Sequence, residues 1–169
     1  GPSIDAFTGA GVWIDVYEWA PSSNDGTPEV TPDQVALMAA VGMDTLYIQS
    51  ARTSRDADVS DPDRFREFVD AAHAQGMSVV SWYLPQYLDH DKDLRRVLAP
   101  IELGVDGVGI DLESADQPDL ALRNERAILL VSQANDSAGD VPVGAVVFAP
   151  QALDRYEPET WPGFPWAEV

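Results

Sequence analysis

Three times along this chain a glycine closes a helix with an apolar stripe, and a short polar residue two positions later launches an apolar strand. The three turns are Gly42-Met-Asp44, Gly76-Met-Ser78 and Gly104-Val-Asp106. Glycine suits the residue after a helix because it adopts the left-handed conformation without steric cost. The repeat recurs at about thirty residues, the size of one strand-plus-helix unit. A chain punctuated in this way is built from parallel strands joined by helices.

The elements between these turns follow the same rhythm. Gly11–Tyr17 reads as the first strand. Thr31, with Pro32 behind it, opens a helix whose Val35, Met38, Ala39 and Val41 form one face. Thr45–Ser50 is the second strand, and Asp61-Pro62 opens a helix with Phe65, Phe68, Val69 and Ala72 on its buried side. Ser78–Tyr83 makes the third strand and Asp91–Leu103 the third helix. A fourth strand spans Asp106–Glu113, a helix runs from Pro118 to about Asn135, and Val143–Phe148 is the fifth strand.

Right-handed crossovers let such units wind into an open doubly wound sheet or close as a barrel. Two features favour the barrel. No glycine-rich phosphate loop follows the first strand; the turn there is the long Trp19–Pro28 segment. Polar and aromatic residues also gather where strands end: Tyr17, Glu18 and Trp19; Gln49 and Arg52; Trp82, Tyr83 and Gln86; Asp111 and Glu113. Barrel enzymes build their sites at that end. A closed barrel runs to eight strands and about 250 residues, so residues 1–169 read as a single partial TIM barrel of about five βα units, ending in an approach to a sixth strand at Pro162–Val169. Its sheet edges are then open to self-association.

The fourth strand carries the chemistry. Alternation sends Val108, Ile110 and Leu112 to one side and Gly109, Asp111 and Glu113 to the other. Carboxylates at the tip of a buried strand are costly unless they serve a purpose. Glycoside hydrolysis is one such purpose, since it uses a proton donor and a second carboxylate. Asp15, on the same face of the first strand as Trp13 and Tyr17, is a third candidate for that cavity. Trp19, Trp82 and Tyr83 offer rings on which sugars can stack, and Gln49 and Arg52 can hold a hydroxyl or a carboxylate. The competing readings are a rim ion pair of Asp111 or Glu113 with Arg52 or Arg123, and aromatics that only plug the core.

Asp106-Gly-Val-Gly-Ile-Asp-Leu-Glu113 resembles the Asp-x-x-Asp-x-Asp-x-Glu signature of family 18 glycoside hydrolases, the chitinase-like barrels, with Gly109 in place of the middle aspartate. The resemblance implies Glu113 as general acid, Asp111 as the group that orients the substrate's acetamido arm, and Asp106 as the first acid of the signature. It implies hydrolysis of a polysaccharide or oligosaccharide without a cofactor, and favours an extracellular or cell-surface setting. The alternative is a non-catalytic carbohydrate-binding barrel descended from such an enzyme.

Composition narrows the partners. Twenty-nine acids against ten bases give a formal charge of −19, which opposes binding to nucleic acid or anionic membranes. No apolar run approaches the roughly 18 residues a membrane helix needs, and Gly1-Pro2-Ser3 looks like a protease-cleavage scar, so export stays open. The absence of cysteine excludes disulfides and thiolate sites. No metal site is expected. Asp56-Ala-Asp-Val-Ser60 followed by Glu67 only faintly echoes a calcium loop, with Asp61 where the glycine belongs. His73 and His90 lack ligand spacing.

Overall fold

The computed structural model describes residues 2–149, 152 and 163–169. Five strands, β1 (Gly11–Ile14), β2 (Thr45–Gln49), β3 (Ser78–Tyr83), β4 (Gly107–Asp111) and β5 (Val143–Val146), form one parallel sheet in sequence order. Between them lie helices α1 (Val16–Trp19), α2 (Val35–Ala40), α3 (Pro62–Ala74), α4 (His90–Leu98) and α5 (Leu120–Ser137). Strands paired strictly in sequence order, each followed by a helix, are the wall of a TIM barrel, here in part. Among the described residues β1 and β5 each have one strand neighbour, so both edges are open.

Local chemistry sets the boundaries. Gly42, Gly76 and Gly104 have φ of 90°, 74° and 94°, the left-handed turn expected of each helix-to-strand junction. Asp119 caps α5 by accepting from the backbone N–H groups of Ala121 and Leu122, and Asp89 caps α4 by accepting from Lys92. The second expected helix start is tighter than a regular helix: Pro32–Gln34 forms a 3-10 turn before α2, with the Gln34 side chain accepting from the Thr31 N–H.

The two faces of the sheet have different fillings. Ile14, Leu46, Ile48, Val79, Tyr83, Val108 and Ile110 join Phe65, Phe68, Val97, Ala127 and Leu130 of the helices in a single core. By strand alternation and register the opposite face, the barrel lumen, carries Trp13, Tyr47, Gln49, Val80, Trp82, Gly107, Gly109, Asp111, Gly144 and Val146. Its lower end is closed by Phe7, which ends a 3-10 turn over Asp5–Phe7. Its ring lies where side chains at Gly107 and Gly144 would stand: a Cβ on Gly144 would come 2.7 Å from it and one on Gly107 3.1 Å. The Thr45 hydroxyl anchors this plug by donating to the carbonyl of Ala6.

Four expected strands are shorter than the sequence pattern implies; the second ends at Gln49 and the fifth at Val146, and the first and fourth are cut back further. The first ends at Ile14 because Asp15 and Glu18 form a reciprocal capping box that turns Val16–Trp19 into a helix. The fourth spans Gly107–Asp111, leaving Asp106, Leu112 and Glu113 outside it. The Pro162–Val169 approach to a sixth strand is described only from Gly163, where it forms turns; Trp161 and Pro162 lie outside the described residues. Phe164 is buried beneath Arg123, and Trp166 packs on it at 4.5 Å while remaining 43% exposed.

If Phe7 and the glycine pair are a lock, Gly144→Ala will cost about 1–3 kcal/mol through overpacking, and the cost will vanish in a Phe7→Ala background. Urea denaturation of the two single variants and the double variant measures this; an equal cost in both backgrounds would show that Phe7 is not what the glycine accommodates.

Candidate functional site

At the C-terminal end of the sheet the lumen is lined by aromatics in register. Trp13 and Tyr47 are cross-strand partners and stack at 4.1 Å with planes 5° apart, while Trp82 leans on Trp13 at 6.0 Å. Such contacts contribute roughly 0.5–1.5 kcal/mol each beyond burial. Trp82 is level with Gly109 on the next strand, and the glycine is required by its neighbours: a Cβ there would stand 3.0 Å from Val146 and 3.4 Å from Trp82. The middle aspartate of the chitinase-like signature would have to push the Val146 side chain aside to stand here.

Asp111 stands one side-chain step above Gly109 on the lumen face, only 6% exposed. Its carboxylate accepts from the Glu113 backbone N–H at 3.1 Å. Among the described residues no cation lies within ion-pair distance of it, since the two ion pairs are His73–Asp106 and Arg95–Asp58. Burial pushes its pKa up to about 6 against the single opposing hydrogen bond. An unpaired acid whose protonation changes near neutrality is equipped to take up and release a proton.

Beside it, at the mouth of β2, lies a cleft of about 190 Å³ lined by Tyr17, Gln49, Ala51, Arg52, Thr53, Ser54 and Leu84. The Arg52 guanidinium sits 4.6 Å above the Tyr17 ring. The Gln49 Oε1 accepts from the Val16 N–H, which orients the side-chain amide. The Asp15 capping turn positions both contacts, since it places Val16 and Tyr17 over the end of β2.

The other expected site residues are employed elsewhere. Asp15 accepts from the N–H groups of Tyr17 and Glu18 as a helix cap. Trp19 is fully buried, edge-on to Phe65 and Phe68, and donates from Nε1 to the Gln49 carbonyl. Tyr83 faces the helices, and its hydroxyl donates to Asp93 at 2.8 Å and accepts from Arg96 at 3.2 Å. Neither ring is open to a sugar. Glu113 lies beyond the strand and is half-buried. Asp106 accepts from the Val79 N–H and bonds His73 at the opposite end of the strand. The structure thus brings Asp111, Trp82, Gln49 and Arg52 to the rim and removes Asp15, Trp19, Tyr83 and Asp106 from it. The rim ion pair to Arg52 or Arg123 is absent for Asp111: Arg52 stacks on Tyr17, and Arg123 is buried with Nη2 donating to Asn124 at 2.8 Å.

Sequence reasoning missed the buried Asp93–Arg96 pair. Asp93 and Arg96 meet through the Tyr83 hydroxyl rather than directly, and Arg96 also donates to the Arg55 carbonyl. Burial raises the Asp93 pKa against the hydrogen bonds and the Arg96 charge. A signal existed in the helical spacing: Asp93 and Arg96 stand three residues apart and share a face with Val97. Tyr47 was recoverable by aligning the strands at their glycine turns. Among the described residues no group of three or more metal-ligating side chains converges, and no helix is long and apolar enough to cross a membrane.

No protein-family model and no curated protein sequence matches the chain. Among solved structures it is similar to a type I 3-dehydroquinate dehydratase from Clostridium difficile, solved with covalently modified comenic acid, at 13% identity and a TM-score of 0.51. The match covers 82% of this chain and 51% of that one, so the chain spans about half the length of the protein it resembles. The likeness is one of fold, and the fold is a partial TIM barrel. It corrects the chitinase-like expectation: the similar barrel is a dehydratase, no glycoside hydrolase model matches, and the signature's acids are dispersed or replaced. Glycoside hydrolysis and the carbohydrate-binding alternative are both set aside.

The unpaired acid has a measurable cost. A rise from 3.8 to about 6 withholds about 3 kcal/mol of stability once the group is ionised in both states. The loss is absent below about pH 4, grows as pH rises towards the folded pKa, and is complete above it. Urea unfolding of Asp111→Asn should therefore match the parent near pH 4 and exceed it by up to about 3 kcal/mol near pH 8. A difference independent of pH would refute the burial of an ionisable group as its cause.

Proposed function

We propose that this chain carries the proton-transfer site of a barrel enzyme that eliminates water from a small hydroxylated carbonyl acid, with Asp111 as general base and then general acid. The observation that carries the reading is the position of Asp111: a buried, unpaired carboxyl group on the lumen face at the C-terminal end of the barrel strands, where barrel enzymes perform chemistry. Fold likeness to a dehydratase supports the reaction class by analogy.

The reaction balances with this one group. The Asp111 carboxylate takes a proton from the carbon beside the carbonyl, and the electrons of that C–H bond become the new carbon–carbon double bond. The adjacent C–O bond breaks, and the departing hydroxyl takes the same proton from Asp111 and leaves as water. Trp82 and the Trp13–Tyr47 stack lie on the same face of the sheet as the carboxyl group, which is itself only 6% exposed. An imine route would need an amine at the rim. The one lysine of these residues, Lys92, lies in the first turn of α4, so acid–base elimination is the chemistry these side chains supply.

The test is turnover of 3-dehydroquinate and related β-hydroxy carbonyl acids, followed by absorbance of the conjugated product. Activity should rise with pH through about 6 as the base ionises, and Asp111→Asn should lower kcat by about 10²–10⁴-fold. Turnover unaffected by that substitution, or none with any such acid, would sink the proposal.

A further inference from the structure

We infer that the cleft at the mouth of β2 is a carboxylate-binding subsite, in which Arg52 takes the carboxylate and the Gln49 amide takes a neighbouring oxygen. The first ground is charge. The chain has 29 acids, yet none of the residues lining this cleft is acidic. A cleft of that kind in a protein of net charge −19 is the place where an anion meets least repulsion.

The second ground is unused hydrogen-bonding capacity held in place. The Arg52 side chain makes no ion pair or hydrogen bond among the described residues; its guanidinium rests on the Tyr17 ring at 4.6 Å. A stacked guanidinium is oriented without spending its donors, and its fork matches a carboxylate in two parallel hydrogen bonds. Gln49 is oriented in the complementary sense. Its Oε1 is occupied by the Val16 N–H at 3.1 Å, so the amide N–H₂ is the end left for a ligand. Leu84 and Ala51 supply an apolar wall.

The third ground is register. Gln49 is level with Trp82, and Trp82 with Gly109, below Asp111 on the same face. Two strand spacings of about 4.8 Å separate β2 from β4. An acid anchored at Arg52 would have to span roughly 10 Å across the rim to bring its far end towards Asp111. The inference rests on the proton-transfer reading only in assigning that far end to Asp111.

The probe is benzoate, with benzamide as its uncharged match, followed through the side-chain NMR signals of Gln49 and Arg52. Benzoate should produce saturable shifts at both, with benzamide at least tenfold weaker, and Arg52→Gln should weaken benzoate at least tenfold while Arg52→Lys weakens it less. Asp111→Asn should bind benzoate at least as well as the parent. Equal binding of the two probes, no saturable binding, or benzoate affinity unchanged in Arg52→Gln would overturn the subsite. Benzoate binding that depends on Arg52, in a protein without Asp111-dependent turnover, would keep the subsite and remove the elimination reading; the reverse pattern would do the opposite.

Discussion

A parallel sheet whose crossovers all lie on one side must find something else to cover the other, and most of this structure follows from how that second face is filled. The helical side is ordinary aliphatic and aromatic packing. The lumen side is filled from below by Phe7, seated against two glycines, and from above by Trp13, Tyr47 and Trp82. Three of the four large rings on that face have a small partner: Gly107 and Gly144 face Phe7, Gly11 lies under Tyr47, and Gly109 lies beside Trp82, while Trp13 stacks on Tyr47 and stays 47% exposed. The filling is dense enough to leave Asp111 nearly dry, and dryness is what alters its acidity. Packing and chemistry at the rim are consequences of the same alternation of large and small residues.

A second layer stiffens the rim from outside. Tyr83 leaves the sheet on the helical side and ties Asp93 to Arg96, and Arg96 reaches across to the Arg55 carbonyl. Asp93 also accepts from the Tyr87 N–H, at a residue whose φ is +58°. Such a backbone conformation is held only where the surroundings over-determine it, and here the Gln117 amide and Arg126 both donate to the Tyr87 carbonyl as well. The loops after β2, β3 and β4 are thus joined through buried polar groups. Removing one partner would strand the others.

The elements and their order were legible because helix ends write themselves in glycine and capping residues, and because the strand pattern changes period at each turn. The barrel rim was legible in part. Asp111, Trp82, Gln49 and Arg52 stood out by ending strands; Gln49, Trp82 and Asp111 share the lumen face, and Gln49 and Arg52 line one cleft at the mouth of β2. Asp15 and Trp19 deceived for a physical reason: alternation continues through Tyr17 on paper, but Asp15 and Glu18 satisfy each other's backbone and end the strand three residues early. Tyr83 deceived differently, because its face is set by register with Ile110, which no single strand reveals. The Asp-x-Glu spacing of Asp111 and Glu113 drew attention to this strand for the wrong chemistry, since two carboxylates on alternate positions need not both lie within the strand.

The absence of acids from the β2 cleft has a kinetic side. The formal charge of −19 sets the long-range field around the molecule. A negatively charged visitor is repelled on approach, over a range that shrinks to about 10 Å at moderate salt, and is attracted only once inside. Its arrival should be accelerated by dissolved salt, the reverse of electrostatic steering, while its departure responds little. Capture by such a cleft is slow at low ionic strength and faster in brine, which ties the working speed of the rim to the salinity around it.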